Sequence, residues 1–417
     1  MTNESSVRSA IVRWKEHFNA TRQSLRPRGF VDLAPAPFGT ALVGVRRCGK
    51  TFSSIEMSQK ISTDNVFYFN FEDPVAYNCK GPEFISELLS IAAEVYRAPL
   101  QLLIFDEIQN IPGWERWVRS ALDQRTHQII ITGSSASLLS GELSTSLTGR
   151  ALQFERWPLS FKEFLNFSAI TPHSELEHIQ MLAEYEICGG FPEVILQKQP
   201  EFRKTILRQY FNDLIYKDVL GRHEVRNRPA LDQIVLYYFT NPSSLHSYSA
   251  LKKAFGISLD LASGYTKALI DAFMVFEVLR YHPNLKVQSR DAKKLYVIDT
   301  GMQQVVTNAH SPDRGKLLEN IIYLELRRRS KKIFYYQGKQ EVDFVLVEGM
   351  LAKEAIQVCA GDLTDKKIFD REISALVECM SELKLSEGTI ISWNHSERIE
   401  HSGKLITILP AYRWLLG

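Results

Sequence analysis

A chain of 417 residues, 45% apolar and 24% charged, has room for roughly two to four domains, each with its own core. That composition excludes a disordered, collagenous or coiled-coil protein. Fifty basic against forty-eight acidic residues leave a net charge of +2, so any nucleic-acid surface has to be a local patch.

Cys48, Cys79, Cys188, Cys359 and Cys379 lie far apart and form no C-x-x-C pair, which supports neither a disulfide framework nor a zinc ribbon. The histidines show no metal-ligand spacing. The opening Met1-Thr2-Asn3-Glu4 lacks the layout of a signal peptide, and no apolar run approaches the ~18 residues of a membrane span. A soluble, cytoplasmic protein without membrane contact is the expectation.

Residues 7–28 set Ile11, Trp14 and Phe18 at helical spacing among arginines and lysines, predicting a helix with a basic outer face. Pro35 and Pro37 then break the chain. Apolar runs at 40–44, 65–71, 100–105 and 128–132 alternate with helical patterns, which predicts a parallel sheet covered on both faces.

Directly after the first run, Gly44-Val45-Arg46-Arg47-Cys48-Gly49-Lys50-Thr51 fits G-x-x-x-x-G-K-[ST] and, through Phe52, opens a helix. The glycines let the backbone curl so that its N–H groups point at phosphate oxygens, and the helix N-terminus adds positive potential. Lys50 would reach the β- and γ-phosphates, and the Thr51 hydroxyl would ligate Mg²⁺. An ordinary glycine turn matches the same letters, but a second motif comes after it. Leu102-Leu-Ile-Phe105-Asp106-Glu107 ends a buried strand in two acids, Asp106 to hold Mg²⁺ and Glu107 to polarise an attacking water. The run at 128–132 ends in Thr132-Gly133-Ser134-Ser135, where Thr132 and Ser134 could orient water and sense the γ-phosphate. Arg150 could stabilise transition-state charge in cis, or reach a neighbouring subunit of a homo-oligomer. Trp114, Trp117, Val118 and Leu122 have the spacing of a buried helix face, so core packing is the better reading.

After Trp157-Pro158 the pattern becomes helical. Ser160-Phe-Lys-Glu163 is a capping box, Gly189-Gly190-Phe191-Pro192 punctuates the region, and helical periodicity runs over 201–220. Helices at 230–239, 247–255 and 259–273, then strands at 276–281 and 294–298, predict a winged helix-turn-helix. Its recognition helix, Leu259 to Phe273, offers Ser258, Ser263, Thr266 and Lys267 to a groove, with Lys252 and Lys253 near the backbone. Arg280, Lys286, Arg290, Lys293 and Lys294 suit a phosphate-tracking wing, although solvated surface charge explains them nearly as well. A helix from Leu317 to Arg329 leads into strands at 332–337, 341–347 and 354–358. Arg327, Arg328, Arg329, Lys331 and Lys332 form the sharpest basic cluster, compatible with nucleic-acid phosphates or with a solvated helix end.

Several segments together resemble a known family: the phosphate loop, Phe-Asp-Glu-Ile-Gln-Asn-Ile-Pro-Gly-Trp-Glu (105–115), Thr-Gly-Ser-Ser-Ala-Ser-Leu-Leu-Ser (132–140), Leu-Thr-Gly-Arg (147–150), Pro-Leu-Ser-Phe-Lys-Glu-Phe-Leu (158–165) and Gly-Gly-Phe-Pro-Glu (189–193). They are similar to the prokaryotic AAA-type ATPases that carry a C-terminal domain of uncharacterised function. The resemblance covers nearly the whole chain. It implies ATP binding at Gly44–Thr51, a Walker B pair at Asp106 and Glu107, and a sensor at Thr132–Ser134. Family members often carry a restriction-endonuclease-like pattern near the C-terminus: Glu on a helix, Asp on a strand, then E-x-K. This chain keeps Glu319 and Asp343 but has Gln357 and Cys359 where E-x-K belongs. A neutral amide and a soft thiol suit Mg²⁺ poorly, and cysteine cannot supply the charge of lysine, so the site is expected to be degenerate.

The expected α/β architecture is therefore a P-loop NTPase core of AAA type over 1–157 and a helical lid over 158–228. A winged helix-turn-helix over 229–300 and a nuclease-like α/β domain over 301–417 complete it. The expected function is ATP binding and hydrolysis, with DNA or RNA engaged through 247–294 and 327–332, or else a protein partner. The alternatives are a nucleotide-gated regulatory module with negligible turnover, and a metal-dependent nuclease.

Overall fold

The four apolar runs of the first 157 residues become parallel strands, β1 (Gly39–Val43), β2 (Val66–Asn70), β3 (Leu102–Asp106) and β4 (Gln128–Gly133), joined by β5 (Ala151–Glu155). The computed structural model describes residues 4–29, 32–96, 98–134, 147–307, 313–329, 331–349 and 351–417, with Ser289 described by its backbone alone. Contacts divide the chain into two units, Met1–Trp157 and Pro158–Gly417.

In the first unit the sheet order is β2-β3-β4-β1-β5, parallel throughout. β1 and β3 are buried along their whole length, so helices must cover both faces. They are α1 (Glu4–Gln23), α2 (Lys50–Met57), α3 (Glu83–Tyr96) and α4 (Trp114–Gln124). Phe18 of α1 packs with Leu42, Ile55, Tyr68, Ile104 and Ile130 in one cluster. Trp114, Val118 and Leu122 are buried as their spacing implied, and Trp117 sets its ring edge on Phe105. The first helix stops at Gln23 rather than 28, since Pro27 disfavours helical backbone at Arg26. Its expected basic face is partly spent: Arg22 donates to the carbonyls of Gln59 and Ile61, and Arg28, beyond the helix, to that of Cys48 at 2.8 Å. The order of the strands positions the polar ends of the sheet. With β4 between β1 and β3, its last residues lie between the loop after β1 and the acids after β3.

The second unit opens with α5 (Phe161–Ser168), whose capping box forms: Ser160 Oγ accepts from the Glu163 amide at 3.2 Å, and the Glu163 carboxylate accepts from the Ser160 amide at 2.8 Å. Then come α6 (Glu175–Cys188), α7 (Pro192–Leu196) and α8 (Pro200–Asp213). The helix expected over 201–220 changes character at Leu214, where a π-helix runs to Leu220; within it buried Asp218 pairs with Arg222 at 2.9 Å. The Gly189-Gly190 pair has a steric reason. Gly189 has φ +71°, and a Cβ there would lie 2.1 Å from the buried Asp299 carboxylate, which accepts from the Gly190 amide at 2.6 Å.

Next are α9 (Arg228–Thr240), β6 (Ser244–His246), α10 (Tyr248–Phe255), α11 (Leu259–Asp271), β7 (Val275–Val278), α12 (Leu285–Arg290) and β8 (Lys293–Val297). The three strands form an antiparallel sheet ordered β6-β8-β7, and the short helix α12 stands between the two strands expected at 276–281 and 294–298. The remaining elements are α13 (Thr300–Thr307), α14 (Arg314–Arg328), β9 (Lys332–Gln337), β10 (Glu341–Glu348), β11 (Leu351–Cys359), α15 (Lys366–Glu382), β12 (Glu387–Ser392), β13 (Glu397–His401), β14 (Lys404–Pro410) and α16 (Ala411–Leu416). Their sheet runs β13-β14-β12-β11-β10-β9, antiparallel from β9 to β11 and parallel from β11 through β12 to β14. Backbone bonds from Tyr281 to the Tyr335 carbonyl (2.7 Å) and from Tyr335 to the Leu279 carbonyl (3.1 Å) splice the two sheets together.

Arg328, expected in a surface basic cluster, is instead half-buried and turned inward: it donates to the carbonyls of Pro158 and Leu159 at 3.0 and 3.2 Å and to Glu325. A guanidinium committed to these partners has little left to offer a phosphate. Arg328→Met should cost the second unit about 2 kcal/mol in urea denaturation, because Glu325 and the carbonyls of Pro158 and Leu159 each lose a donor. Lys331→Ala and Lys332→Ala, at exposed positions, should stay within about 0.5 kcal/mol.

Candidate functional site

The chain after β1 leaves the sheet at Gly44, with φ +152°; a Cβ there would sit 2.0 Å from the Arg156 carbonyl oxygen, so only glycine fits. Arg47 and Gly49 also take positive φ, which curls the loop into the N-terminus of α2. Within it Val45 and Cys48 are buried, and the Cys48 thiol donates to the Arg156 carbonyl at 3.2 Å. The Arg46 guanidinium donates to Glu72 at 2.7 Å, and Phe52 stands exposed on the first turn of α2. Lys50 is buried with its ammonium folded back into the loop, donating to the carbonyls of Gly44 and Val45 at 3.1 Å each.

Opposite stands Asp106, the last residue of β3 and almost inaccessible. One carboxylate oxygen accepts from Thr51 Oγ1 (2.7 Å), Tyr68 OH (2.9 Å) and Asn70 Nδ2 (3.1 Å), and the other from Thr132 Oγ1. Burial pushes its pKa up and the Glu107 charge adds to this, while Thr132, Thr51 and Tyr68 pull it back by donating to the ionised form. Glu107 sits in left-handed backbone at φ 53°, with its carboxylate 3.7 Å from the Lys50 ammonium. Ser134 Oγ (3.1 Å) and Gln109 Nε2 donate to that carboxylate. Thr132 Oγ1 also accepts from the Glu107 amide at 3.1 Å, so one hydroxyl ties both acids to β4.

The structure thus gathers Lys50, Thr51, Asp106, Glu107, Thr132 and Ser134 at the C-terminal edge of one sheet. It does not bring Arg150 to them. The Arg150 carbonyl accepts from the Gly39 amide at the start of β1, and its guanidinium pairs with Asp123 at 2.7 Å. That is the opposite edge, roughly 15 Å away along a strand rising ~3.3 Å per residue, so a role in cis is corrected. Ser135 and the rest of the motif at 135–140 lie outside the described residues. The sequence reading missed Tyr68, Asn70 and Gln109. A polar Asn70 ending an aromatic run was the available signal, because parallel register sets it beside Asp106.

A family model described as an AAA domain matches residues 39–165. A protein of Methanocaldococcus jannaschii, uncharacterised protein MJ1544, is 36% identical over 90% of this chain and 87% of its own length. The chain belongs to a family of AAA-domain proteins. An uncharacterised protein of Haemophilus influenzae is 30% identical over 76% of this chain and 81% of its own length. A domain of unknown function, DUF8612, matches residues 179–313. The solved structure of C. elegans PCH-2 aligns with 64% of this chain and 68% of that one at 14% identity, with a TM-score of only 0.22. Among the described residues of this AAA-domain protein, no helix is long and apolar enough to cross a membrane, and all five cysteines are free.

In the second unit, Glu319 on α14 and Asp343 on β10 do meet, through a residue expected elsewhere. Lys294, read from sequence as part of a phosphate-tracking wing, is buried, and its ammonium lies 2.8 Å from Glu319, 2.7 Å from Glu341 and 2.8 Å from Asp343. Burial alone would lower its pKa; the charges of Asp343, Glu319 and Glu341 hold it well above the ordinary lysine value. Glu319 also accepts from Tyr296 OH at 2.7 Å, and burial followed by the Asp343 charge pushes its pKa up to about 8. Gln357 accepts from the Asp343 amide and donates to Glu372, and the Cys359 thiol is pushed up to about 11, chiefly by burial.

Other groove and wing candidates are also spent internally. Lys293 pairs with Glu277 at 2.6 Å, and Arg280 with Asp291 and the Gln337 carbonyl. Thr266 is buried against Tyr238, Ser258 caps α11, and Ser263 Oγ turns back to the Asp260 carbonyl. Arg329 donates to Glu325 and stacks over Trp414. Arg327 lies over Phe276. Lys252, Lys253, Lys267, Lys286 and Arg290 keep exposed positions.

Gly44→Ala should abolish nucleotide binding in calorimetry, with the far-UV circular dichroism unchanged, because the added methyl collides with backbone. Thr132→Val, which removes a donor to a buried carboxylate, should lower stability by about 1–3 kcal/mol in urea denaturation.

Proposed function

We propose that this protein binds ATP with Mg²⁺, hydrolyses it, and uses the nucleotide state to govern how its second unit engages a protein partner. One observation carries the chemistry: an ammonium, a hydroxyl, two carboxylates and two further hydroxyls converge from α2, β3 and β4 and the turns after these strands. The residues fit the load. The Lys50 ammonium rests on two carbonyls, neutral acceptors that anionic phosphate oxygens would outcompete. Thr51 Oγ1 and the Asp106 carboxylate, 2.7 Å apart, are hard oxygen donors of the kind Mg²⁺ prefers, and they would hold it. Bound there, Mg²⁺ would neutralise phosphate charge. Glu107, aimed by Ser134 and Gln109, would accept the proton of the attacking water.

The helix–strand–helix–helix–strand–helix–strand order from α9 to β8, with the short α12 set into the hairpin and β8 central in its sheet, supports a winged-helix reading. The α14, three-strand antiparallel meander, α15 and parallel β12 succession supports a nuclease-like scaffold. A protein partner is favoured over nucleic acid at 247–294 and 327–332, because five of the basic residues there face carboxylates. Arg150 can serve only a nucleotide of a neighbouring subunit in a homo-oligomer.

Steady-state ATP turnover tests this reading. Wild-type turnover should vanish in Lys50→Ala and Glu107→Gln, with Glu107→Gln still binding ATP. Turnover no faster than in those variants, alongside tight ATP binding, would replace it with a nucleotide-gated binding module. Duplex DNA or RNA should leave the rate unchanged; a several-fold stimulation would restore the nucleic-acid partner.

A further inference from the structure

A lysine ammonium has three N–H donors and no acceptor, and at Lys294 three carboxylates stand at 2.7–2.8 Å, Glu319 and Asp343 as hydrogen-bond acceptors and Glu341 as a further ion-pair partner. They come from two elements distant in sequence, Glu319 from α14 and Glu341 and Asp343 from β10, whereas Lys294 comes from β8. Lys293 and Lys294 are adjacent on a strand, so they point to opposite faces: one meets Glu277 of β7, the other leaves its own sheet entirely.

Three carboxylates around one buried point are what a divalent cation would gather in a nuclease-like core, and here the cation would have to displace an ammonium paired with all three and hydrogen-bonded to Glu319 and Asp343. The rest of the shell offers a metal little. The second Asp343 oxygen accepts from the Val358 amide at 2.8 Å. The Gln357 oxygen is turned to the Asp343 amide and its nitrogen to Glu372, and the Cys359 thiol lies toward the Gly361 carbonyl. Mg²⁺ demands nearly octahedral oxygen ligands at about 2.0–2.1 Å, a shell these residues do not complete while the lysine remains.

We propose that Lys294 is a built-in counter-ion standing where a nuclease-like core holds its divalent metal, closing the Glu319–Glu341–Asp343 cluster to metal and fastening the β6-β8-β7 sheet to α14 and β10. The inference rests on the nuclease-like reading of this scaffold and is independent of ATP turnover. It gives the missing E-x-K a physical sequel: the positive charge that Cys359 cannot supply arrives from another sheet, and it arrives as an occupant rather than as a helper to a metal.

The test is Mn²⁺ binding to the full chain without nucleotide, monitored by the spin-resonance signal of free Mn²⁺, together with melting temperature. Lys294→Met should melt several degrees lower than wild type, gain one Mn²⁺ site that wild type lacks, and recover stability as Mn²⁺ is added. Lys294→Met/Asp343→Asn should lose that added site, and the comparison between these two variants cancels any Mn²⁺ held at the phosphate loop. A Lys294→Met chain that melts like wild type would overturn the counter-ion role. A Lys294→Met chain that melts low yet gains no Mn²⁺ site would overturn the claim that the lysine replaces a metal, and the nuclease-like reading with it. If Lys294→Met does not fold, Glu341→Gln in the otherwise native chain decides: a wild-type Mn²⁺ site abolished by that change would overturn the proposal, and equal Mn²⁺ uptake by the two would uphold it.

Discussion

The first unit depends on a carboxylate that ought not to be where it is. Asp106 ends a strand in which every residue is buried, and a lone ionised carboxylate in such a place would be expelled or neutralised. Four donors keep it: Thr51 from α2, Tyr68 and Asn70 from β2, and Thr132 from β4. Each comes from an element that the parallel sheet alone brings alongside β3 or just above it. The acid therefore has two uses. It is the group that would hold a metal, and it is the knot that fixes the loop helix and two neighbouring strands in register.

That knot explains why β4 matters as much as the two recognised motifs. Thr132 donates to Asp106 and accepts from the amide of Glu107, and two residues on Ser134 donates to the Glu107 carboxylate. A change at either hydroxyl is thus felt by both acids at once. The left-handed backbone at Glu107 belongs to the same arrangement, since it turns consecutive acids of one chain segment toward different tasks. Lys50 meanwhile waits on carbonyls, close to Glu107 and without a strong partner of its own in the loop.

How much of this was legible depends on how local each signal is. The phosphate loop, the acidic pair and the capping box at Ser160 are set by spacings within a few residues, and the structure places those residues as the spacings imply. The sheet was readable because buried parallel strands appear as unbroken apolar runs. Partners joined only by register were not: nothing near Asn70 announces Asp106, and the π-helix after Asp213 keeps the apolar periodicity of an α-helix. Charge was the least legible property. Lys294, Arg328 and Arg280 look in sequence like the free cations of a nucleic-acid surface, yet each is paired with acids or carbonyls from segments far along the chain.

That misreading has a common physical cause in the second unit. Its layers are spliced by backbone bonds between Leu279–Tyr281 and Tyr335, by Asp299 holding Gly190, and by Arg328 holding the carbonyls of Pro158 and Leu159. Burying such junctions leaves polar groups that water can no longer reach, and long cationic side chains are the means of satisfying several of them at once. A basic run in sequence therefore marks either a surface that meets anions or a seam that must be neutralised from within. The two differ in one observable: at a seam, carboxylates from remote elements converge on the cation. Around Lys294 three of them do, which makes this lysine part of the internal wiring of the fold, whereas Lys252, Lys253, Lys267, Lys286 and Arg290 stay at the surface.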